Sequence, residues 1–333
     1  MSRWLLISVL LFLSVICLGQ DAHFSMFYSN PLYLAPSFAG STGKNRVAAS
    51  YRNQWPEAKQ GYVSYSFAFD HHFEKLNSGV GILLFNDVAG TGNLSTTNIG
   101  VLYSYDFKAT PWIHIRPGMH LMYTQRGIDF LRLTWRDQMS AVGNAPSTAE
   151  PPAYDNVGDI DFSASLMSYG DKFWAGLSFD HLLMPNQSLY YNEYQQGNLA
   201  RIPIKWQVFG GTKHVVGQTL LRPTPTVMQL AFLYKKQADF SQLDLGFYYH
   251  YDPLVLGLWY RGIPLVSQNH KNDAVILLAG IKTNSFNIGY SYDFTVSKLI
   301  TSSGGSHEVS ISYTFSKPDK KRRPKKMVPC PEF

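Results

Sequence analysis

Near its end the chain alternates with a period of two. Phe286, Ile288, Tyr290, Tyr292 and Phe294 interleave with Asn287, Gly289, Ser291, Asp293 and Thr295, and Val309, Ile311, Tyr313 and Phe315 interleave with Glu308, Ser310, Ser312 and Thr314. Successive side chains of an extended chain point to opposite sides, so each run is a strand with one apolar and one polar face. The apolar face is rich in Tyr and Phe, the polar one in Gly, Ser and Asp. A soluble sandwich would bury the first face in a core. This pairing instead suits a transmembrane antiparallel β-barrel, apolar toward lipid and wet inside.

The same alternation recurs back to Asn45, with turn residues between the runs. It predicts strands near 45–54, 60–70, 79–88, 95–107, 112–127, 157–168, 172–182, 201–214, 219–234, 241–250, 253–262, 273–283, 285–295 and 307–316. That is about fourteen, an even number, as bacterial single-chain barrels have. Connection lengths support the count. If the first strand runs outward, the inner turns (71–78, 108–111, 169–171, 215–218, 251–252 and 284) are all short. The two longest connections, 128–156 and 183–200, then lie outside with the unexpectedly tight 235–240. Past the amino terminus the richest apolar run, 274–280, is far short of the ~20 residues of a helical span, so any membrane crossing is by strands.

Alternation also assigns the faces. His114, Arg116, His120, Thr124 and Arg126 oppose Ile113, Ile115, Met119, Leu121 and Tyr123. Lys205, Gln207, Gly211 and Lys213 oppose Ile204, Trp206 and Val208, and Gln242, Asp244 and His250 oppose Leu243, Leu245, Phe247 and Tyr249. With Asp293 and Glu308, charges of both signs point inward. Such a lumen is a wet channel or a lining for a plug. The glycines within strands (Gly79, Gly81, Gly100, Gly118, Gly176, Gly246 and Gly289) mark bends or close backbone packing.

The two ends differ from the body. Arg3 precedes the apolar run 4–18, and small residues follow at Cys17-Leu18-Gly19, a pattern that predicts a signal peptide over 1–19 with Gln20 first in the mature chain. Residues 317–333 carry seven Lys or Arg against Asp319 and Glu332. Without that tail and Arg3, the formal charge of +6 falls to about zero over the body, which gives a nucleic-acid-binding surface little support. The tail reads as disordered. It is expected in the periplasm, where Lys320, Lys321, Arg322, Arg323, Lys325 and Lys326 could dock on an acidic partner or on anionic lipid headgroups of the outer membrane. Its Cys330 is the sole mature cysteine, either an unreactive tail thiol or an intermolecular crosslink.

No residues are assigned to catalysis, a cofactor or a metal. The chain has no Gly-rich phosphate loop, paired-cysteine spacing or nucleophile elbow. His114 and His120 share a face but lie about 20 Å apart at ~3.3 Å per residue, too far for one metal. His71 and His72 point to opposite sides and read as a solvated turn. Asp180-His181, at an outer strand end, has no convergent group to orient a nucleophile, and chance adjacency explains it.

Between the expected cleavage site and the first strand, residues 20–44 are aromatic but interrupted by Pro31 and Pro36. The segment is too apolar for the periplasm. It is expected to pack at the periplasmic mouth or in the lumen through Phe24, Phe27, Tyr28, Leu32 and Phe38.

Its residues carry a resemblance. Gln20-Asp21, His23-Phe24-Ser25, Phe27-Tyr28, Pro31-Leu32-Tyr33-Leu34, Pro36 and Phe38-Ala39-Gly40-Ser41, then Arg46-Val47 and Tyr51-Arg52-Asn53-Gln54-Trp55-Pro56, resemble the opening of the PorP/SprF family. The chain departs from that pattern at Ala22, Met26, Ala35 and Ser37. The resemblance implies a non-enzymatic outer-membrane protein of the type IX secretion and gliding apparatus. Implied partners are a periplasmic peptidoglycan-associated protein, or a secreted surface adhesin held through its C-terminal domain. A passive porin or hydrophobic-solute channel is the alternative.

Overall fold

The computed structural model describes residues 21–58, 61–140, 143–144, 155–189, 200–219, 222–262, 274–296, 304–316 and 328–330. Among them fourteen long strands form one closed antiparallel barrel. They are β1 (Asn45–Gln54), β2 (Tyr62–Phe73), β3 (Ser78–Ala89), β4 (Leu94–Tyr105), β5 (His114–Gly127), β6 (Asn156–Tyr169) and β7 (Phe173–Asp180), then β8 (Lys205–Thr219), β9 (Arg222–Gln237), β10 (Phe240–Tyr251), β11 (Leu254–Arg261), β12 (Ala274–Lys282), β13 (Phe286–Thr295) and β14 (Ser306–Phe315). Each pairs with its sequence neighbours, and β1 closes on β14 with Asn45 opposite Phe315 and Gln54 opposite Ser306. Closure leaves no open edge, so ladder N–H and C=O groups are met within the sheet, as a hydrocarbon surround demands. No described helix is long and apolar enough to cross a membrane.

The wall has the two faces that the alternation predicts. At the end where β1 begins and β14 finishes, here the terminal end, Phe73, Tyr105, Trp112, Phe173, Tyr251, Phe286 and Phe315 are exposed on the outside. Toward the opposite, loop end the exposed aromatics are Tyr51, Tyr65, Tyr123, Phe179, Tyr260 and Phe294. Ile82, Val101, Leu121, Leu256 and Leu277 fill the band between them. An apolar band between two aromatic girdles is the outer surface of a membrane barrel.

The structure corrects several boundaries. The turn expected at 215–218 is strand: β8 continues to Thr219, with Val215 opposite Val227 and an irregular register at Gly217. Because β9 correspondingly runs on to Gln237, opposite Phe240, the tight outer connection is only Ala238-Asp239, with Ala238 in the left-handed region at φ 49°. His71 and His72 belong to β2 rather than a solvated turn. Glu74–Leu76 makes that turn as one 3-10 turn, while His72 is buried and His71 bonds Asn45.

The lumen is filled. The segment before β1 folds as a helical turn, Pro31–Leu34, and a 3-10 turn, Pro36–Phe38. A proline opens each, where a missing N–H costs nothing and a fixed φ favours the helix. Met26, Phe27, Tyr28, Leu32, Leu34, Phe38 and Ala39 form one apolar cluster with inward residues including Leu102, Met167, Trp174, Phe209, Tyr248 and Trp259. Val328 and Cys330 join this cluster, and Gln229 Nε2 donates to Pro329 O at 2.7 Å. Residues 328–330 are therefore packed inside the barrel, where the composition of the tail suggested disorder. The reason is that Val328 and Cys330 are apolar and can complete the cluster, which a charge count over the whole tail overlooks.

Candidate functional site

The segment threads the barrel lengthwise, from Asp21 toward the loop end to Gly40 at the terminal end. Most of it is buried, so the backbone polar groups that its own turns leave unpaired need partners from the wall.

Near the loop end these partners are charged. Glu308 accepts from Ser25 N at 2.6 Å and from Met26 N at 3.0 Å. Arg52 bridges Glu308 at 3.1 Å and Asp293 at 2.9 Å, and Arg261 reaches Asp293 at 2.8 Å. Ser25 Oγ sits at the centre. It donates to Asp293 at 2.6 Å and accepts from Arg52 at 2.5 Å and from Arg261 at 2.7 Å. With its proton and lone pairs all engaged, Ser25 is a clamp point and not a nucleophile. A second cluster holds Asp21. Lys205 Nζ and His181 Nε2 each lie 2.8 Å from its Oδ2, and Gln237 Nε2 donates to its Oδ1 at 3.1 Å. His181 Nδ1 is fixed by Asp161 at 2.6 Å.

Midway the contacts are aromatic. Phe27 meets Trp259 edge-on at 4.8 Å, and Tyr28 meets Trp174 at 5.7 Å between ring centroids. Trp174 Nε1 donates to Tyr28 Oη at 3.0 Å, so a buried indole N–H is satisfied. Gln207 donates to Leu34 O at 2.6 Å.

At the terminal end the fit is backbone to backbone. A Cβ at Gly79 would lie 2.0 Å from Ala39 O, and one at Gly118 2.3 Å from Ser37 N. No residue but glycine allows this approach. Ser104 Oγ and Arg116 Nη2 donate to Ala39 O at 2.7 and 2.5 Å. Asp70 accepts from Gly40 N at 2.7 Å while paired with Arg46 at 2.8 Å. Gly40 itself adopts φ 67°, the left-handed conformation that turns the chain into β1.

All five apolar residues expected to pack, Phe24, Phe27, Tyr28, Leu32 and Phe38, are at most 5 % exposed. Of the inward set, Arg116, His120, Asp244, Asp293 and Glu308 are buried. His114 pairs with Asp106 at 2.9 Å near the terminal end, and Lys205 holds Asp21. The motif around the first strand divides. Asp21, His23, Phe24, Pro36, Gly40 and Arg52 belong to the lumen, whereas Tyr51 faces outward against Tyr65 at 5.2 Å. Asn53 and Gln54 end β1; Gln54 Oε1 accepts from Arg52 at 3.4 Å. Trp55 and Pro56 begin the following loop, where Trp55 packs on Tyr62. Lys320, Lys321, Arg322, Arg323, Lys325 and Lys326 lie outside the described residues, as do the expected signal peptide and parts of both long loops, 141–142, 145–154 and 190–199.

Asp180-His181 is not chance adjacency. Asp180 lies 3.3 Å from Lys205, and His181 links Asp21 to the wall. Asp70, Asp161, Gln237 and Arg261 were also missed as partners. Inward parity on a strand could have flagged all four; His181 lies beyond the end of β7, where parity gives no signal.

Solved structures with this architecture include the toluene transporter TbuX of Ralstonia pickettii, at 10 % identity and a TM-score of 0.51 over 89 % of this chain and 95 % of that one. The CymD monoaromatic hydrocarbon channel matches at 12 % identity and a TM-score of 0.48 over 90 % and 96 %. At such identity the likeness to TbuX speaks for the fold alone, an outer-membrane barrel. No curated protein matches the chain. The family model described as type IX secretion system membrane protein PorP/SprF matches residues 16–313, nearly the whole barrel and its lumen segment. The chain belongs to the PorP/SprF family, and is thus a non-enzymatic membrane protein of the type IX secretion system.

Proposed function

We propose that this barrel is a closed receptor of the secretion apparatus: it helps to secrete, capture or anchor a surface protein at its loop end and does not conduct solute. The observation that carries this reading is the filled lumen, in which charged, aromatic and backbone contacts follow one another from Asp21 to Gly40. A wall this committed to its own amino-terminal segment has little left for a solute path. The terminal end then faces the periplasm, where short turns belong, and the loop end faces the medium. The expected client is a secreted adhesin, held through its C-terminal domain. A peptidoglycan-associated protein is the expected partner below, and the basic run Lys320 to Lys326 would meet an acidic face or anionic lipid there.

Planar-bilayer recording of the purified barrel tests the closure. The intact protein should show no steady open current, and deletion of residues 20–40 should produce one. A large steady current from the intact protein would instead favour a porin. Capture is tested in cells: pull-down through a tagged loop should recover a secreted surface protein. Recovery of none, together with secretion and gliding unchanged on gene deletion, would end the capture reading. Truncation after Ser316 should weaken recovery of a periplasmic partner at low salt; no change would remove the role given to the basic run.

A further inference from the structure

Beside the Asp21 cluster, at the loop end of the lumen, lies a small cavity of about 40 Å³ lined by Asp21, His23, Phe24, Leu233, Lys235 and Phe240, among others. Its charge is lopsided. Asp21 is its single acid, against the bases Lys205, Lys235 and the rim residue Lys236. Lys205 is committed to Asp21 and Asp180. Lys235 is not committed. It is 9 % exposed, and its cross-strand neighbours are the neutral amides Gln207 and Gln242. Gln207 already donates to Leu34 O, and Gln242 to both oxygens of Asp244. Asp244 attracts Lys235 only from beyond ion-pair distance, while Arg261 Nε lies 3.7 Å from it. Among the described residues Lys235 has no ion-pair or hydrogen-bond partner. His23, facing the same cavity, has a buried Nε2 that is equally unmatched.

A buried cation without a partner is destabilising, and a well-packed apolar replacement is commonly neutral or better. An unpartnered ammonium on a polar cavity, beside the unmatched His23 Nε2, thus describes a place made for an acceptor that arrives from elsewhere. The volume sets its size. One water needs roughly 10–15 Å³, so the cavity admits a carboxylate and little more. The body of the ligand must rest on the apolar rim, against Phe24 and Phe240. We infer that this cavity binds the carboxylate of an apolar-flanked ligand entering from the loop end. Its source, a polypeptide chain end or a free organic acid, rests on the receptor reading above; the carboxylate preference does not.

Titration calorimetry on the purified full-length barrel tests this with N-acetyl-phenylalanine and acetyl-Ala-Ala-Phe, each as free acid and as amide. Each acid should bind at least tenfold more tightly than its amide. Lys235→Met should lose that preference while keeping the folded, heat-modifiable band and a thermal midpoint no lower than wild type. Lys236→Met, at the rim, should keep the preference. A tighter tripeptide points to chain ends, a tighter single amino acid to free acids, and both support the site. Equal binding of acid and amide, no binding of either acid, a preference that survives in Lys235→Met, or a midpoint lowered by that substitution would overturn it. Client retention in cells can fail while the acid preference stands, so the two readings fail separately.

Discussion

The two halves of the lumen segment are held by different physics. From Pro36 to Gly40 the chain lies against strand backbone, where glycine gaps at 79 and 118 admit it and Arg46, Asp70 and Arg116 bind its carbonyl and amide groups. From Asp21 to Met26 it lies among buried charges: Arg52, Arg261, Asp293 and Glu308 on one side and Lys205 and His181 on the other. Steric fit is all or nothing, and at this end it acts beside the Arg46–Asp70 pair and Arg116. Ionic grip is strong only while every partner is present, because removing one strands the others in a poorly solvated site. The terminal half is thus built as a fixed root and the loop half as a grip that can be undone, toward the end where the receptor reading places a client.

The largest effect should come from breaking the root. Gly79→Val places side-chain atoms where Ala39 O already lies 2.0 Å from a Cβ; the Gly79 backbone is fixed in a closed ladder, and Ala39 O is held by Ser104 and Arg116. The heat-modifiable folded band should disappear. Gly43→Ala is the control. Its Cβ meets nothing within 4 Å, so only the strain of φ 66° remains, about 1–2 kcal/mol. If Gly79→Val folds as well as Gly43→Ala, the close approach at the terminal end is wrong.

Next in size is the grip. Glu308→Gln keeps the shape but removes the charge facing Arg52 and one acceptor for Ser25 N or Met26 N. Breaking a buried pair in this way costs about 3–5 kcal/mol, measurable as a shift in denaturant midpoint. Hydrogen exchange separates the halves: amides 21–30 should exchange faster while 36–40 stay protected. Uniform loosening of both would show that root and grip are one cooperative unit, and the contrast drawn above would fail.

Much of this barrel was legible from alternation. The period of two marks strands because the pleat imposes it, and β1 falls at 45–54 as expected. Ends were less legible. At Val215 to Gln218 the turn chemistry of Gly217 concealed a strand whose irregular register accommodates it. Burial of Phe24, Phe27, Tyr28, Leu32 and Phe38 was readable because apolar side chains exclude water wherever they sit. Depth was not readable. Parity says that Lys205 and Glu308 face inward, but not that Asp21 and Ser25 wait there, since the pairing joins residues up to 283 positions apart. Cys330 failed for a related reason: a basic stretch hides the three residues beyond it that have an apolar destination.

That destination gives the smallest and most discriminating test. Pro329 is tied to the wall by one hydrogen bond, from Gln229 Nε2 at 2.7 Å, while Gln229 Oε1 meets His250 Nε2 at 2.5 Å. Losing one such bond costs about 1 kcal/mol, a factor of roughly five in the population of an open state. Gln229→Ala should therefore raise the rate of maleimide labelling at Cys330 about fivefold with the barrel intact. Deleting 20–40 should raise it much further, because Tyr28 and Phe27 belong to the same apolar cluster as Cys330. If Gln229→Ala labels no faster, the tail end is held by its apolar contacts alone. If the wild-type thiol labels as fast as one in free solution, the tail does not enter the lumen, and closure rests on the amino-terminal segment alone.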